Sequence, residues 1–231
     1  IDGIDKMGLE HNEKLIKKFW IYMNFLIKEN KKYNLTAIKD EKEIIKKHFF
    51  DSLCFFKYYY PKKDENIIDI GTGAGFPGLI LKIYNKGLNV WLIDSVNKKI
   101  KFLNKLINKL EMKNVEAIHI RAEQIGSDND FREKFSYVIS RAVAPINILS
   151  EYTIPLAKNN SKIIFFKGPK YRKELKNGKE SINKLGGKIN NIFEYKVPNC
   201  ERKHFFLEIK KINRTNEKYP RRTGIPKKKP L

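Results

Sequence analysis

The sequence predicts an α/β protein: a mostly parallel sheet with helices on both faces, a final antiparallel strand, and helices ahead of the sheet. Three observations lead there. Short apolar runs alternate with helical stretches through the middle of the chain, the pattern of a parallel sheet wound with helices. The last two runs are joined only by a tight connection around Asn199, so they are expected to pair antiparallel. The first sixty residues carry their apolar positions at helical spacing.

The elements follow in order. From His11 to about Glu29, the residues Leu15, Ile16, Phe19, Trp20, Met23, Phe25, Leu26 and Ile27 fall at helical spacing. A second helix is expected from Asp40, with Glu43 three residues on as a capping box, through Ile44, Ile45, Phe49 and Leu53. Strands are then expected over 67–70, 90–93, 117–120, 137–140 and 162–166. Helices are expected between them over 77–85, 98–110, near Phe131, and over 146–157. A helix over 173–185, the pair Gly186-Gly187 and strands over 188–197 and 204–212 complete the sheet. There is no internal repeat. The Pro/Arg/Lys-rich tail, 213–231, is expected to be extended. The chain thus divides into a helical extension (1–60), an α/β domain (61–212) and a basic tail (213–231).

Composition bounds the function. At 231 residues and 41% hydrophobic, the chain is long enough for a full core and too apolar for general disorder. No apolar run approaches the roughly 20 residues of a membrane-spanning helix. The opening Ile1-Asp2-Gly3 is no secretory signal, and the absence of Met points to a trimmed start. Cys54 and Cys200 form neither a disulfide framework nor a metal set, so a soluble, cytoplasmic protein without a metal is expected. The net charge is +22, some of which an AT-rich genome would supply through Lys codons. Its distribution is uneven: residues 1–166 hold 28 basic and 20 acidic side chains, and residues 167–231 hold 20 and 6. The last 65 residues therefore carry most of the excess, which suggests a polyanionic partner such as nucleic acid.

The stretch Asp69-Ile70-Gly71-Thr72-Gly73-Ala74-Gly75-Phe76-Pro77-Gly78 follows an apolar strand and opens a helix. Glycine permits a tight turn and close approach to a ligand, and open α/β sheets bind ligands outside the carboxyl ends of their strands. Gly73, Gly75 and Gly78 match a dinucleotide pattern, with Asp94 about 20 residues on. Asp69 argues against a pyrophosphate: a carboxylate at the end of a buried strand repels an anion and suits a cation. S-adenosylmethionine, with an ammonium and a sulfonium and no phosphate, fits such a loop. Asp94 is placed to accept the two ribose hydroxyls, and Arg121-Ala122-Glu123 to face the adenine. The competing interpretation is an ordinary glycine-rich turn with solvated acids.

The sequence resembles the bacterial RsmG (GidB) family of small-subunit rRNA guanine-N7 methyltransferases. The similar segments are Tyr33-Asn34-Leu35-Thr36-Ala37-Ile38, Lys47-His48-Phe49-Phe50-Asp51-Ser52-Leu53 and the glycine loop. They continue with Asp94-Ser95, Lys98-Lys99, Arg121-Ala122-Glu123, Ser140-Arg141-Ala142-Val143-Ala144-Pro145, Lys167-Gly168 and Tyr219-Pro220-Arg221-Arg222-Thr223-Gly224-Ile225-Pro226. The resemblance implies a Rossmann-like class I methyltransferase with a seven-stranded sheet. Its cofactor would be S-adenosylmethionine, leaving S-adenosylhomocysteine as product. The family's pocket maps onto Gly71, Phe76, Ala122, Glu123 and Arg141, beside Asp69, Gly73, Gly75 and Asp94. The implied target is guanine 527 (rRNA numbering) in the 530 loop of 16S rRNA, free or in a small-subunit assembly intermediate, met by a monomer. One departure is Ser136, where many members carry Asp after the aromatic, which puts a carboxylate role at the fourth strand in doubt.

Guanine N7 offers an exposed lone pair, so no general base is required and alignment carries the reaction. The sequence after the fourth strand, Ser140-Arg141-Ala142-Val143, lacks the Asn/Asp-Pro-Pro-aromatic motif of exocyclic amine methylation. Arg141 could hold guanine O6 or a phosphate, or brace the loop as an ion pair. His48 and Asp51 could touch RNA or pack a helix. Lys167, Arg202, Arg221, Arg222 and Lys227–Lys229 are candidates for RNA phosphates, against a solvated, disordered tail. Tyr58-Tyr59-Tyr60 could stack on bases or cover the core. Two other function classes are a non-catalytic RNA-binding protein on a methyltransferase fold and, ranked last, a dinucleotide-dependent oxidoreductase. A class I methyltransferase acting on another RNA site is the nearer alternative.

Overall fold

A computed structural model describes residues 1–231. The strands are β1 (Asn66–Ile70), β2 (Asn89–Asp94), β3 (Val115–His119), β4 (Phe135–Arg141), β5 (Ala157–Lys167), β6 (Gly187–Lys196) and β7 (Lys203–Lys211). They form one sheet in the order β3-β2-β1-β4-β5-β7-β6. The first five are mutually parallel; β7 lies antiparallel to both β5 and β6. Strand β1 is buried on both faces, which is why Ile67, Ile68 and Ile70 are apolar on either side of it, interrupted only by Asp69. The edge strand β6 mixes Lys, Asn and Glu among its exposed positions, which discourages further pairing.

The side chains of β1 alternate between two cores, Ile67 on one face and Ile68 on the other. On the first face lie α1 (Asp2–Asp5), α2 (Glu13–Tyr33), α3 (Glu41–Ile44), α4 (Asp51–Leu53), α5 (Gly78–Tyr84) and α6 (Asn97–Lys109). Their 39-residue cluster is continuous, so the N-terminal helices share the core of the sheet. On the second face lie α7 (Ala122–Ser127), α8 (Ile146–Thr153) and α9 (Tyr171–Lys184). Asn12 caps α2 by accepting the Leu15 N–H, and Asn34 ends it with φ of 48°. Asp40 caps α3 through the Glu43 N–H, while the Glu43 carboxylate turns to Lys46 and Lys47, so only half of the expected box forms.

Three expectations need correction. The helix placed near Phe131 is α7, which ends four residues before it: Gln124 Oε1 accepts the Arg121 N–H, and the segment after Ser127 is turns. The helix over 146–157 stops at Thr153, where Ile154–Leu156 tightens into a 3₁₀ turn containing Pro155 and β5 begins at Ala157. The tail is not extended. Thr215 and Tyr219 are buried, and a last helix, α10 (Ile225–Lys228), follows a turn at Gly224. The Arg132 guanidinium collects the carbonyls of Gly126, Thr215, Asn216 and Tyr219 at 2.7–3.3 Å. Ser136 sits near the amino end of β4, the end of that strand remote from Arg141.

Candidate active-site cleft

A cleft of about 360 Å³ opens at the carboxyl ends of β1, β2 and β3. Gly71 follows β1 with φ of 73°; a side chain there would also collide with Val143, its Cβ lying 2.3 Å from Val143 Cγ2. Asp94, the last residue of β2, crosses to the glycine loop: its Oδ2 accepts the Gly73 N–H at 3.0 Å and its Oδ1 the Val96 N–H at 2.9 Å. Lys99 Nζ stands 3.3 Å from the same Oδ2. Ala122 and Glu123 begin α7 on the opposite wall, joined there by Tyr152 of α8. A larger cavity, about 640 Å³, lies elsewhere among Glu10, Tyr60 and Tyr84 and has no link to this loop.

Asp69 lies beneath the cleft rather than on its wall. It is fully buried, and its Oδ2 accepts the Gly78 N–H at 2.8 Å, tying the strand end to the start of α5. Burial pushes its carboxyl up to about 6, the Gly78 N–H acting in the opposite direction. Its Oδ1 and the hydroxyl of Thr72 are both buried without a well-formed hydrogen bond, although Thr72 stands close enough to favour the ionised carboxylate. Such groups are costly and mark a place where a polar ligand group can be received.

Phe76 and Gly75 are held from behind. The Phe76 ring is stacked between Tyr22 (centroids 5.1 Å, 6°) and His48 (4.6 Å, 16°). Tyr22 Oη donates to the Ala74 carbonyl at 2.5 Å and fills the space a Gly75 side chain would need. Arg141, at the end of β4, belongs to the same cluster: its guanidinium reaches Asp51 Oδ2 at 2.6 Å, the Lys47 carbonyl at 3.2 Å and His48 Nδ1 at 3.2 Å. The Lys47 carbonyl is free to accept because Ile45–Phe50 is π-helical and the Asp51 N–H turns to Lys46, five residues back. Asp51 Oδ1 receives the Tyr195 hydroxyl at 2.8 Å and faces His204 Nδ1 at 3.2 Å. Burial, then the Arg141 cation, drives the His48 ring down to about 4, so it is neutral at pH 7. Arg141 is thus an ion pair and His48 a packed ring.

The structure gathers Gly71, Asp94, Ala122 and Glu123 on the cleft, whereas Asp69, Gly73, Gly75, Phe76 and Arg141 do not line it. It adds Ser95, Val96, Val143, Tyr152, Gly224 and Lys227, of which Tyr152 has no local sequence signal. The candidates for RNA phosphates separate. Arg202 and Arg222 are exposed, Arg202 resting on Gly168. Lys167 is instead bound to Glu174 at 2.7 Å and to the Ala144 carbonyl, its side chain only 8% exposed. Arg221 holds the buried Glu151 through its Nε and Nη2 at 2.6–3.2 Å. Of the three tyrosines, Tyr59 is buried against Phe55 and Phe206, and Tyr60 is exposed.

The chain is similar to known proteins along nearly its whole length. A family described as rRNA small subunit methyltransferase G matches residues 15–205. A protein named Ribosomal RNA small subunit methyltransferase G from Clostridium perfringens (strain SM101 / Type A) is 44% identical over 227 residues, 98% of this chain and 95% of its own length. Its namesake from Alkaliphilus metalliredigens (strain QYMF) is 40% identical over 230 residues, 100% and 96% of the two chains. Among solved structures, M. jannaschii TYW2 in complex with AdoMet aligns with a TM-score of 0.53 at 19% identity, over 66% of this chain and 70% of its own, a likeness of fold.

Proposed function

The chain belongs to the rRNA small subunit methyltransferase G family, and from that premise we propose that it transfers a methyl group from S-adenosylmethionine to N7 of guanine 527 in the 530 loop of 16S rRNA. The observation that carries the cofactor reading is the placement of Asp69 and Asp94 near the carboxyl ends of the adjacent strands β1 and β2, with a buried Asp69 carboxylate oxygen that lacks a well-formed hydrogen bond. That arrangement fits a cationic nucleoside and disfavours a pyrophosphate. Bound there, S-adenosylmethionine supplies an electrophilic methyl group on a sulfonium.

The residues divide the work as follows. Gly71 and Gly73 let the backbone approach the ligand, and Asp94 accepts the ribose hydroxyls with the lone pairs left by Gly73 and Val96. Ala122 and Glu123 face the adenine. Asp69, with Thr72, presents acceptors toward the ammonium through the loop. Arg141 and Phe76 act as positioning residues, fixing the loop from below. Guanine N7 needs no proton removed, so the chain's task is to hold the base in line with the methyl carbon and sulfur. Arg202 and Arg222 are the free cations proposed to meet rRNA phosphates.

Calorimetric titration with S-adenosylhomocysteine tests the pocket, and mapping N7-methylguanosine in 16S rRNA from cells lacking the gene tests the target. A well-folded protein that binds no nucleoside would favour a non-catalytic RNA binder. A lost methyl group at another position would move the activity to another RNA site, and displacement by NAD would favour the oxidoreductase.

A further inference from the structure

The tail returns to the cleft. Arg221 anchors it to Glu151, which is fully buried, and Pro220 packs on Gly126 of α7. Three residues later the backbone N–H of Gly224 donates to Glu123 Oε1 at 3.0 Å, across 101 residues of sequence. Gly224 and Lys227 then line the same cleft as Asp94, Ala122 and Tyr152. Glu123 is itself only 7% exposed, so the strap both covers and orients it. A carboxylate has two oxygens; holding one with a main-chain donor fixes the direction of the other.

We propose that the C-terminal strap Arg221–Lys227 is the adenosine-side wall of the cofactor cleft, with Gly224 as the positioning residue that aims Glu123 at the ligand. The inference rests on the cofactor reading above and extends it to a segment whose basic composition points only to RNA. Lys227 is thereby placed at the cleft.

The test is a chain ending at Arg222. It keeps Arg221 on Glu151 and all four Arg132 contacts to main-chain carbonyls, and removes Gly224 and Lys227. Calorimetry should show S-adenosylhomocysteine bound about tenfold more weakly than by the full chain, with cooperative unfolding retained. Glu123→Ala should weaken binding in the full chain and add little in the shortened one, a coupling that a merely structural loss would not produce. Should the shortened chain fail to fold, Gly224→Ala in the full chain takes its place. Its φ of 86° is strained for a side chain while the surrounding space is open, so the N–H is displaced without a clash, and the same weakening is expected. Unchanged affinity in the variant that folds, or fully additive losses with Glu123→Ala, would overturn the strap's role. Absence of binding by the unaltered full chain would instead refute the cofactor reading.

Discussion

The floor under Asp69 and the cluster around Asp51 place carboxylates in equally dry surroundings, but they are completed differently. Asp51 has both oxygens paired, to Arg141 on one side and to Tyr195 and His204 on the other. Asp69 has one oxygen on the Gly78 N–H and the other without a well-formed hydrogen bond, its neighbour being the Thr72 hydroxyl, which likewise lacks one. A completed buried network holds the fold in one arrangement; an incomplete one costs stability until a ligand completes it. Substitutions in the first region should therefore register in unfolding, and those in the second in binding.

The largest expected effect is on the completed side. Arg141→Ala strands Asp51 with a buried charge and should lower unfolding free energy by about 3–5 kcal/mol, measured by urea denaturation. A loss within the roughly 0–1 kcal/mol of a surface pair would show that the cluster does not behave as buried. Next comes Asp69→Asn, which keeps an acceptor for Gly78 and removes the charge. It should weaken S-adenosylhomocysteine binding roughly 10- to 100-fold without reducing the stability of the free protein; the opposite pattern would break the contrast.

Acidification separates the regions by sign. The folded pKa of Asp69, about 6, lies above the ordinary 3.8, so the folded state holds the proton more tightly. Its contribution to stability consequently falls as pH rises from about 4 to 6. The folded pKa of His48, about 4, lies below 6.5, so its contribution is present above pH 6.5 and is lost as pH falls toward 4. Denaturation between pH 4 and 7 should show a steeper acid loss for Asp69→Asn and a shallower one for His48→Gln. The smallest effects concern RNA. Arg202→Ala and Arg222→Ala should each reduce the salt slope of rRNA binding by about 1 in a fluorescence titration. Lys167→Ala should leave the slope unchanged and lower the melting temperature, because that lysine is engaged by Glu174.

The sheet was legible because its signal is local. A short apolar run over Ile67–Ile70, a glycine loop, and a helix after it lie within twenty residues. The loop's acids were legible for the same reason, since Asp94 ends the very next strand. The partners that decide what each charge does were not. Asp51 finds Arg141 across 90 residues and Tyr195 across 144, and neither distance leaves a trace in spacing. The tail misled for a related reason. Its composition is that of a solvated segment, yet its arginine and backbone donors are matched by Glu151 and Glu123 and its backbone carbonyls by Arg132, all supplied by another part of the chain. α7 was displaced because its six residues carry too few apolar positions to show a period.

Asp51 also constrains the order of assembly. Its charge is neutralised only when Arg141 and the β6–β7 hairpin have arrived, so burying the helix that bears it before then leaves an unpaired ion in an apolar core. Contacts of such long sequence separation form late, after loop closure has been met. The N-terminal helices and the last hairpin are in this way kinetically linked although neither touches the other in sequence. In pulse-labelled hydrogen exchange, amides of Ile45–Leu53 should gain protection together with those of β7, and Asp51→Asn should allow the helix to be protected earlier.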